Sequence, residues 1–471
     1  MRHDAHGYWI AEVGGDAGFP ERQPSLDGDV RADILVLGGG YTGMWAAWHA
    51  RRLAPEARIV LLEAERCGHG PSGRNGGFVN SMWFSLPTLR LRFGDQGALA
   101  VARAAADSVA EVGHFCEEES VDAWYRRGGY LQVSAAPAQD SVRGGAVAAA
   151  NELGVADVVE VLDEAATRAR CDSPVFRSAA FYADAATVHP ARLAAGLRAA
   201  IIEAGVEVHE HSPGRRVRPG SGETVVETEH GRLSAPAAVL ATGAALLGVR
   251  PLRHALTATS SHMVITEPVP DLLEEIGWSG GECITDSRAM IHYFRTTPDG
   301  RIAFGWGGGS IVAGARLGGK TDVDPSLARQ VEAHMRRFFP GLEGRAVTYA
   351  WGGPIDVSPT HLPVIRSLGP RGGGRAFAGY GYTGNGVGPS QMIGRSLASL
   401  ALGRSDEPSR LALIDPPPAR VPPEPFRYAG GTAIRRAVLR KERLEEEGRS
   451  VDPLTRAVCG IPERIGIHIG R

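Results

Sequence analysis

The sequence predicts an α/β protein of two domains, one a Rossmann-type domain on a parallel sheet and the other built on an antiparallel sheet. Three observations support this prediction. A strand–helix–strand unit near the start carries glycines at Rossmann spacing, and a later stretch shows several strands followed by one helix. The 471 residues also exceed what one core of usual size accommodates.

The strand–helix–strand unit begins at Ala32. The apolar run Ile34–Leu37 predicts a buried strand, and Tyr41–Leu53 predicts a helix that ends before Pro55. Arg58–Leu62 predicts the second strand.

The glycines of this unit predict a dinucleotide site. Gly38 allows the tight turn, Gly40 lets a pyrophosphate approach the backbone, and Gly43 lets helix and strand pack closely. Glu63 ends the second strand roughly 20 residues past the last glycine, where it can accept hydrogen bonds from a ribose diol. The strand, the glycines, the helix, the second strand and the acidic residue all occur at the expected spacing. This favours a binding site over a glycine-rich turn without ligand.

The loop Gly68–Phe78 is rich in glycine and also contains Ser72, Arg74 and Asn75. Arg74 can pair with a pyrophosphate or a substrate anion, or it can hold the loop through hydrogen bonds, and the sequence leaves both open. His69 is interpreted as a loop residue and not as a cofactor attachment point.

The segment from residue 86 to residue 243 predicts a further return to the first domain. Its last strand, Ala237–Leu240, runs into Thr242 and Gly243, which predicts a second glycine turn beside the same phosphates. The predicted helices are Leu86–Glu119, Asp140–Leu153 and Pro190–Ala204, and the predicted extended segments are Gly129–Ser134, Tyr182–Thr187, Val206–His209, Thr224–Thr228 and Arg232–Ser234.

The next stretch, 254–339, predicts the antiparallel sheet of a substrate domain. Its strands are Ser261–Thr266, Ala289–Arg295 and Arg301–Trp306, followed by a helix that Asp324 caps and that runs to Phe338. On the second strand, alternation places Tyr293 and Arg295 on one face and His292 and Phe294 on the other.

The first unit's order of elements occurs again late in the sequence. A short strand is followed there by the turn Gly379–Gly388 and a helix from Pro389. No acid-ended strand follows, so a second dinucleotide is not predicted. This helix start can instead face a cofactor ring that becomes negatively charged on reduction. Residues 403–471 are Pro-rich and then helical over Ala433–Glu447, which is typical of a solvated or docked surface helix.

Composition excludes some classes of partner and compartment. The net charge of −2 gives no basis for nucleic-acid binding, and we expect no membrane span and no secretory signal. The five cysteines fit neither a zinc site nor a disulfide framework, so no metal is expected and a reduced, cytoplasmic setting is predicted. The oligomeric state is left open.

The sequence resembles the FAD-dependent D-amino acid oxidase superfamily, in its gamma-glutamylputrescine oxidase-like branch. The matching pieces lie between Tyr8 and Leu402 and read LGGGYTGMWAA, PSGRNGG, VHP, ATG, HYFRTTPDGRIAFGWGG, YAWGGPIDVSPTHLPVI and GYTGNGVGPS. The resemblance implies an FAD-binding Rossmann-type (glutathione reductase-like) domain with a D-amino acid oxidase-like, antiparallel-sheet substrate domain.

The resemblance also implies boundaries and cofactor contacts. The predicted domains are a lead-in at 1–30 with Tyr8, Trp9 and Ile10 as an apolar anchor, an FAD-binding domain at 31–88, 170–250 and 345–402, a substrate domain at 89–169 and 251–344, and a C-terminal extension at 403–471. The residues expected at FAD are Gly38, Gly40, Tyr41, Thr42, Gly43, Glu63, Ala64, Ser72, Arg74, Asn75, Gly76, Val217, Thr242, Gly243, Gly384, Asn385, Gly386 and Val387.

Three departures from the superfamily matter. Amino acid oxidases usually carry a carboxylate-clamping Arg where this chain has Gly353, which favours an amine over an α-amino acid. Monomeric sarcosine oxidases of the superfamily bind flavin covalently through a Cys near this block, but no cysteine lies between Cys283 and Cys459 here, so the resemblance implies a non-covalent FAD. Neither lysine, Lys320 or Lys441, lies in a motif that matches the family's oxygen-activating Lys.

The predicted chemistry is hydride transfer from an amine to flavin, with hydrolysis of the imine to an aldehyde and oxygen or another acceptor taking the electrons. The catalytic candidates are Tyr293, Trp351 and Tyr382, as aromatic walls that favour the neutral amine, and His262, which like His292 and His361 can assist protonation. The alternative is an oxidase or dehydrogenase of an N-substituted or D-amino acid, with Arg295 or Arg74 taking the carboxylate. A flavin monooxygenase would need a second dinucleotide fingerprint, and a binding module would show no turnover.

Overall fold

The computed structural model describes residues 1–15, 21–369 and 375–469. The strands are β1 (Arg2–His3), β2 (Gly28–Arg31), β3 (Ile34–Leu37), β4 (Ile59–Leu62), β5 (Phe78–Asn80), β6 (Tyr130–Ser134), β7 (Glu160–Leu162), β8 (Ser178–Tyr182), β9 (Ala185–Thr187), β10 (Glu207–His209), β11 (Arg216–Pro219), β12 (Thr224–Glu227), β13 (Gly231–Ala235), β14 (Ala237–Leu240), β15 (Thr257–Thr266), β16 (Cys283–Asp286), β17 (His292–Thr296), β18 (Ile302–Trp306), β19 (Val347–Val357), β20 (Val364–Ser367) and β21 (Arg375–Tyr380). The helices are α1 (Gly7–Glu12), α2 (Tyr41–Leu53), α3 (Pro71–Arg74), α4 (Leu86–Glu118), α5 (Gly144–Glu152), α6 (Glu164–Arg170), α7 (Pro190–Glu203), α8 (Pro270–Glu275), α9 (Pro325–Phe338), α10 (Val387–Ala401), α11 (Phe426–Glu446), α12 (Pro453–Cys459) and α13 (Ile461–Arg464).

A six-stranded sheet in the order β10-β4-β3-β14-β21-β20 holds the first glycine turn. All neighbours in it run parallel except β20, which is antiparallel to β21. Its central strands β3, β4 and β14 are buried at every residue, which explains their uninterrupted apolar runs. The predicted Rossmann-type unit is therefore confirmed, and α2 has the predicted bounds.

The second large sheet has nine strands in the order β1-β19-β15-β18-β17-β16-β6-β8-β7. Most neighbours are antiparallel, but β1 with β19 and β16 with β6 are parallel pairs, so the sheet is mixed and not purely antiparallel. The stretch 345–402 contributes β19 to this sheet and β20 and β21 to the six-stranded one. The domain boundaries stay a prediction.

The first part of the lead-in packs into the core of the fold and does not form a surface segment. β1 adds to the edge of the nine-stranded sheet, and Trp9 on α1 is 0% exposed. Tyr8 and Ile10 are buried with Trp9 in a cluster that includes Trp351. The apolar anchor is thus part of the core.

Several element bounds differ from the predicted ones. The segment Tyr182–Thr187 divides between β8 and β9, and α5 starts at Gly144, four residues after the predicted Asp140. α10 begins before the predicted Pro389, and α11 begins before Ala433. Among the helices of the described residues, none is long and apolar enough to cross a membrane.

Candidate cofactor and substrate site

The first glycine turn has the geometry that its spacing predicts. Gly38 adopts φ +109°, and a Cβ there would lie 2.6 Å from the carbonyl oxygen of Ala241. A Cβ on Gly43 would lie 1.9 Å from the carbonyl oxygen of Gly38, so no side chain fits between helix and strand. At Gly40 the nearest atom to a Cβ is Ser72 Oγ at 3.0 Å, which leaves the backbone open toward a ligand.

Glu63 lies at the end of β4 and faces this turn. Its Oε2 accepts a hydrogen bond from the Gly39 N–H at 2.7 Å, and its Oε1 accepts one from the Glu65 N–H at 2.9 Å. Burial raises the pKa of Glu63. The carboxylate is thus held in place beside the turn, where the predicted ribose contact requires it.

The turn Gly379–Gly388, from here on called the second glycine turn, lies directly against the first. The hydroxyl groups of Tyr382 and Thr42 are hydrogen-bonded at 2.7 Å, and burial raises the pKa of Tyr382. Asp356 on β19 accepts a hydrogen bond from the Gly381 N–H, and its own carbonyl oxygen accepts one from Thr383 at 2.9 Å. Two segments more than 300 residues apart therefore close over one space.

The Gly68–Phe78 loop is held by its own side chains and remains next to this space. Ser72 Oγ accepts from the Tyr41 N–H at 2.9 Å, and Asn75 donates to Ser72 O at 2.8 Å and accepts from the Gly77 N–H at 2.7 Å. Arg74 forms an ion pair with Asp322 at 3.3 Å. Its Nε is buried without a hydrogen-bond partner among the described residues, and it would lie 3.6 Å from a Cβ on Gly353.

One cavity of about 1160 Å³ joins the two turns and the loop. Every residue expected at FAD lines it except Gly43, which packs beneath the turn. The lining residues of that set are Gly38, Gly40, Tyr41, Thr42, Glu63, Ala64, Ser72, Arg74, Asn75, Gly76, Val217, Thr242, Gly243, Gly384, Asn385, Gly386 and Val387. The open backbone at Gly40 and the cavity's extent fit a dinucleotide such as FAD.

Tyr293 lines the end of the cavity beyond the loop. Its hydroxyl is hydrogen-bonded to Ser261 Oγ at 2.8 Å, and burial raises its pKa to about 12. A Cβ on Gly76 would lie 3.1 Å from the Tyr293 ring, so this ring stands beside the glycine loop. Trp351 also borders the cavity, but its ring is buried in the cluster with Trp9 and its indole N–H donates to Arg74 O at 2.7 Å. Trp351 thus positions the loop.

Three other candidates lie away from the cavity. His262 is on the face of β15 opposite the lining residues, is 2% exposed, and contacts Ser260 Oγ at 3.2 Å; burial lowers its pKa to about 4. His292 points into the substrate-side core, where it binds Asp286 at 2.6 Å. Arg295 donates to the carbonyl oxygens of Thr296, Val188 and Gly77, which fixes the glycine loop from behind. The structure thus places these three side chains outside the cavity lining, which does not favour the predicted roles, and those roles stay predictions. His361 does line the cavity.

Two sets of residues that line the cavity were not predicted from the sequence. Thr257, Thr259, Ser261 and Met263 alternate along one face of β15, and a period-two pattern over this stretch was the available signal. The second set comes from the C-terminal extension, where no sequence motif predicted a position at the cavity. Its members are Val421, Pro422, Phe426, Arg427, Gly430, Gly431, Ile434, Arg435, Ile461, Pro462, Ile465, Ile467, His468 and Ile469.

A Rossmann-type sheet, a mixed second sheet and one long cavity between two glycine turns define a dinucleotide-dependent oxidoreductase of the flavoprotein class. The chain belongs to the FAD dependent oxidoreductase (DAO) family, whose model matches residues 33–400. Its cofactor is therefore FAD, and the family acts on C–N bonds of amines and amino acids.

Similar proteins support this assignment. The chain is 28% identical to the "Probable oxidoreductase OrdL" of Rhizobium meliloti (strain 1021), over 90% of this chain and 94% of that protein. It is also 28% identical to the gamma-glutamylputrescine oxidoreductase of Escherichia coli (strain K12), over 86% of this chain and 91% of that protein.

Solved structures share the fold. Glycine oxidase from Geobacillus kaustophilus superposes with a TM-score of 0.62 at 19% identity, covering 80% of this chain and 96% of its own. L-proline dehydrogenase from P. horikoshii superposes with a TM-score of 0.64 at 18% identity, covering 81% and 96%. At these identities the likeness concerns the fold alone.

Proposed function

We propose that this protein oxidises the C–N bond of a small amine, with gamma-glutamylputrescine-like or other acylated or simple amines as the substrate class. The observation that carries the proposal is the wall of the cavity beyond the glycine loop, where Tyr293 and Ser261 stand beside Gly353. When bound, FAD supplies a hydride acceptor for the carbon next to the amine nitrogen, and the resulting imine hydrolyses in water to an aldehyde.

The residues of this wall favour a neutral amine. Met263, Met290 and Ile291 line it together with Tyr293 and Ser261, so a charged ammonium there would lose much of its hydration against apolar side chains. The Tyr293 and Ser261 hydroxyls can orient the substrate nitrogen by hydrogen bonds. Trp351 supports the wall by holding Arg74 O.

We also propose which lining residues contact each part of FAD, following the motifs that resemble the superfamily. We assign the ADP part of FAD to the first turn with Glu63, the adenine to Val217, and the phosphate region to Thr242 and Gly243. The N–H groups of Gly384, Gly386 and Val387 have no acceptor among the described residues and can stabilise negative charge on the ring end, whereas the Asn385 N–H donates to Tyr382 O at 2.9 Å. Arg74, Asn75 and Gly76 lie between these ends.

We further propose that FAD is held without a covalent bond. Among the described lining residues there is no cysteine, and Cys283 is fully buried, with Asn80 Oδ1 at 3.3 Å from its sulfur. Acid precipitation of the purified protein should release all the yellow flavin into the supernatant. Flavin that stays with the pellet would contradict this proposal.

The five thiols are free, which supports a reducing compartment such as the cytoplasm as the place of action. Oxygen is the proposed electron acceptor.

An anaerobic screen tests the reaction. Mono-, di- and acylated amines, sarcosine and proline are mixed with the holoprotein without oxygen, and the flavin absorbance is followed before air is admitted. We expect amines to bleach the flavin faster than amino acids, and air to restore the colour. Faster bleaching by amino acids contradicts the amine assignment, and no return of colour contradicts oxygen as the acceptor.

The alternative, oxidation of an N-substituted or D-amino acid, has one observation in its favour. Arg74 Nε is a buried donor without an acceptor in the described chain, and it lies next to Gly353. A substrate carboxylate there would satisfy it. Arg295 is not available for this role because its guanidinium is bound to backbone carbonyls outside the cavity.

The Gly353→Arg variant separates the two proposals. An added guanidinium fills the space beside Arg74 and repels cationic amines, so we expect kcat/KM for amines to fall more than about tenfold, equal to at least about 1.4 kcal/mol. Gly353→Ala is the matched control, because its Cβ meets Arg74 Nε at an ordinary 3.6 Å. Equal losses in both variants would show that space alone matters, and a wild type that already prefers α-amino acids would overturn the inference from Gly353.

A further inference from the structure

The C-terminal extension, which follows the segment matched by the family model, is fixed on two sides of the cavity. On α11, Glu442 accepts hydrogen bonds from the backbone N–H groups of Ala289 at 2.7 Å and Met290 at 3.1 Å, just before β17. Near the end of the chain, the His468 N–H donates to Pro359 O at 2.8 Å, in the turn after β19. The extension therefore spans from the substrate side of the cavity to the cofactor side.

Arg435 is the charged residue that this extension brings to the substrate side. Its side chain is half-buried and lines the cavity, and its Nε donates to Gly308 O at 3.0 Å while Nη2 donates to the same oxygen. Two other guanidinium groups of the lining form ion pairs with carboxylates: Arg74 binds Asp322 at 3.3 Å, and Arg427 binds Glu424 at 2.7 Å.

Arg435 forms no ion pair with a carboxylate in the described part of the chain. Its Nη1 group also has no acceptor among the described residues, and burial lowers the pKa of its guanidinium. Desolvating a charge without a counter-charge is costly, so an anion bound at this point would be stabilised by the guanidinium.

Arg435 lies near the cavity wall that contains Tyr293 and Ser261. Gly308 lies two residues past the end of β18, whose Gly305 pairs with Tyr293 on β17. At the end of β18, Trp306 O accepts a hydrogen bond from Ser261 Oγ at 3.0 Å. Arg435 thus continues the wall that Tyr293 and Ser261 begin.

We propose that Arg435 binds an anionic group at the far end of the substrate, so that the substrate is an amine carrying a carboxylate distant from the reacting nitrogen. This inference rests on the proposed function. The apolar lining between the two ends, with Ile311 and Ile434, suits an aliphatic spacer. A planar guanidinium with free N–H groups matches a carboxylate through paired hydrogen bonds.

Calorimetry with unreactive probes tests Arg435 separately from turnover. N-butylglutaramic acid carries the distal carboxylate, and N-butylglutaramide replaces it by a neutral amide of the same shape. We expect wild-type holoprotein to bind the acid at least tenfold more tightly, and Arg435→Gln to lose this preference by about 10- to 100-fold with amide binding unchanged. Arg436→Gln, an exposed neighbour on the same helix, is the matched control and should keep the preference.

Equal binding of acid and amide by the wild type overturns the proposal, as does an equal loss in Arg435→Gln and Arg436→Gln. Arg435→Lys keeps the charge and should retain part of the preference, so a Gln variant that fails to fold still leaves the assignment decidable.

Anaerobic flavin reduction by N-glutarylputrescine and by its primary-amide analogue separates this proposal from the reaction itself. We expect the acid to show the lower apparent Kd and the same limiting rate as the amide. If neither amine reduces the flavin, the proposed function fails, and the calorimetric contrast still decides the role of Arg435.

Discussion

At the residue scale, the glycines of the first turn differ in what a side chain would contact. The Cβ of an alanine at 43 would lie 1.9 Å from Gly38 O, a backbone atom that cannot move without shifting β3 or α2. At Gly40 the nearest atom is a hydroxyl oxygen of a side chain. Position 43 requires glycine because helix and strand pack closely there. Position 40 requires glycine so that a ligand can approach the backbone, as the sequence spacing predicted.

Gly43→Ala should therefore lower both stability and cofactor retention. Overpacking of this kind costs about 1–3 kcal/mol, and the displaced turn opens the phosphate site. Urea unfolding of the apoprotein and the ratio of FAD to protein absorbance measure the two effects. Gly144→Ala is the control, since its Cβ would enter open space among the described residues. Unchanged stability in Gly43→Ala would contradict the packing role, and unchanged FAD content would contradict the expected displacement of the turn.

Side-chain roles were harder to predict than glycine roles, because they depend on strand partners. Tyr293 and Arg295 share a face of β17, yet Tyr293 reaches the cavity while Arg295 is covered by the backbone of Gly77 and Val188. His262 faces the other side of β15 from Ser261. Which face of a strand meets a cofactor is set by register with neighbours distant in sequence, and local alternation gives the two faces without telling them apart.

At the element scale, the strand–helix–strand unit was predictable because its pattern is local. The bounds of α2 and of the helix from Pro325 to Phe338 follow from caps and stops within the segments themselves, with Asp324 accepting from the Ser326 N–H at 2.9 Å. The position of α11 had no such signal, since its basic-to-acidic order indicates only a surface helix. Its docking depends on Glu442, whose partners lie about 150 residues earlier.

Glu442 makes the docking of α11 dependent on pH. Burial raises its pKa to about 7, Arg288 lowers it and Asp286 raises it. A raised folded-state pKa means that the stabilising contribution is full below the unfolded value of 4.5 and is lost as pH rises through about 7. The loss amounts to about 3 kcal/mol at most.

We expect Glu442→Gln to remove this pH dependence, because a glutamine oxygen can still accept from Ala289 and Met290 but does not titrate. Relative to the variant, the wild type should lose stability between pH 4.5 and pH 7 and then level off. Chemical unfolding at several pH values measures the difference, and Glu447→Gln, exposed at the end of α11, should follow the wild type. Parallel curves for wild type and Glu442→Gln would contradict the assignment.

At the scale of the whole molecule, the two sheets and the extension meet at one cavity. The sequence motifs predicted two glycine turns for one cofactor, and the contact between Tyr382 and Thr42 brings those turns together. The sequence could not predict the third wall of the cavity, which the C-terminal extension forms. The extension reaches the cavity through tertiary contacts and carries no cofactor motif. Part of the cavity lining in this chain thus comes from a segment beyond the matched family region, and the substrate recognition that we propose for Arg435 would depend on it.

A single FAD spanning the cavity should protect distant segments together. Addition of FAD to apoprotein at about 100 times its Kd stabilises the folded state by about 2.7 kcal/mol. Hydrogen exchange should then slow at residues 38–43, 63–64 and 384–387 at the same FAD concentration, because one ligand orders all three. The antiparallel pair of β7 and β8, at the far edge of the nine-stranded sheet, is the internal control and should exchange at an unchanged rate. Protection confined to 38–43 and 63–64 would mean that the second turn does not contact the cofactor, and the amine-oxidising site would then have to lie elsewhere along the cavity.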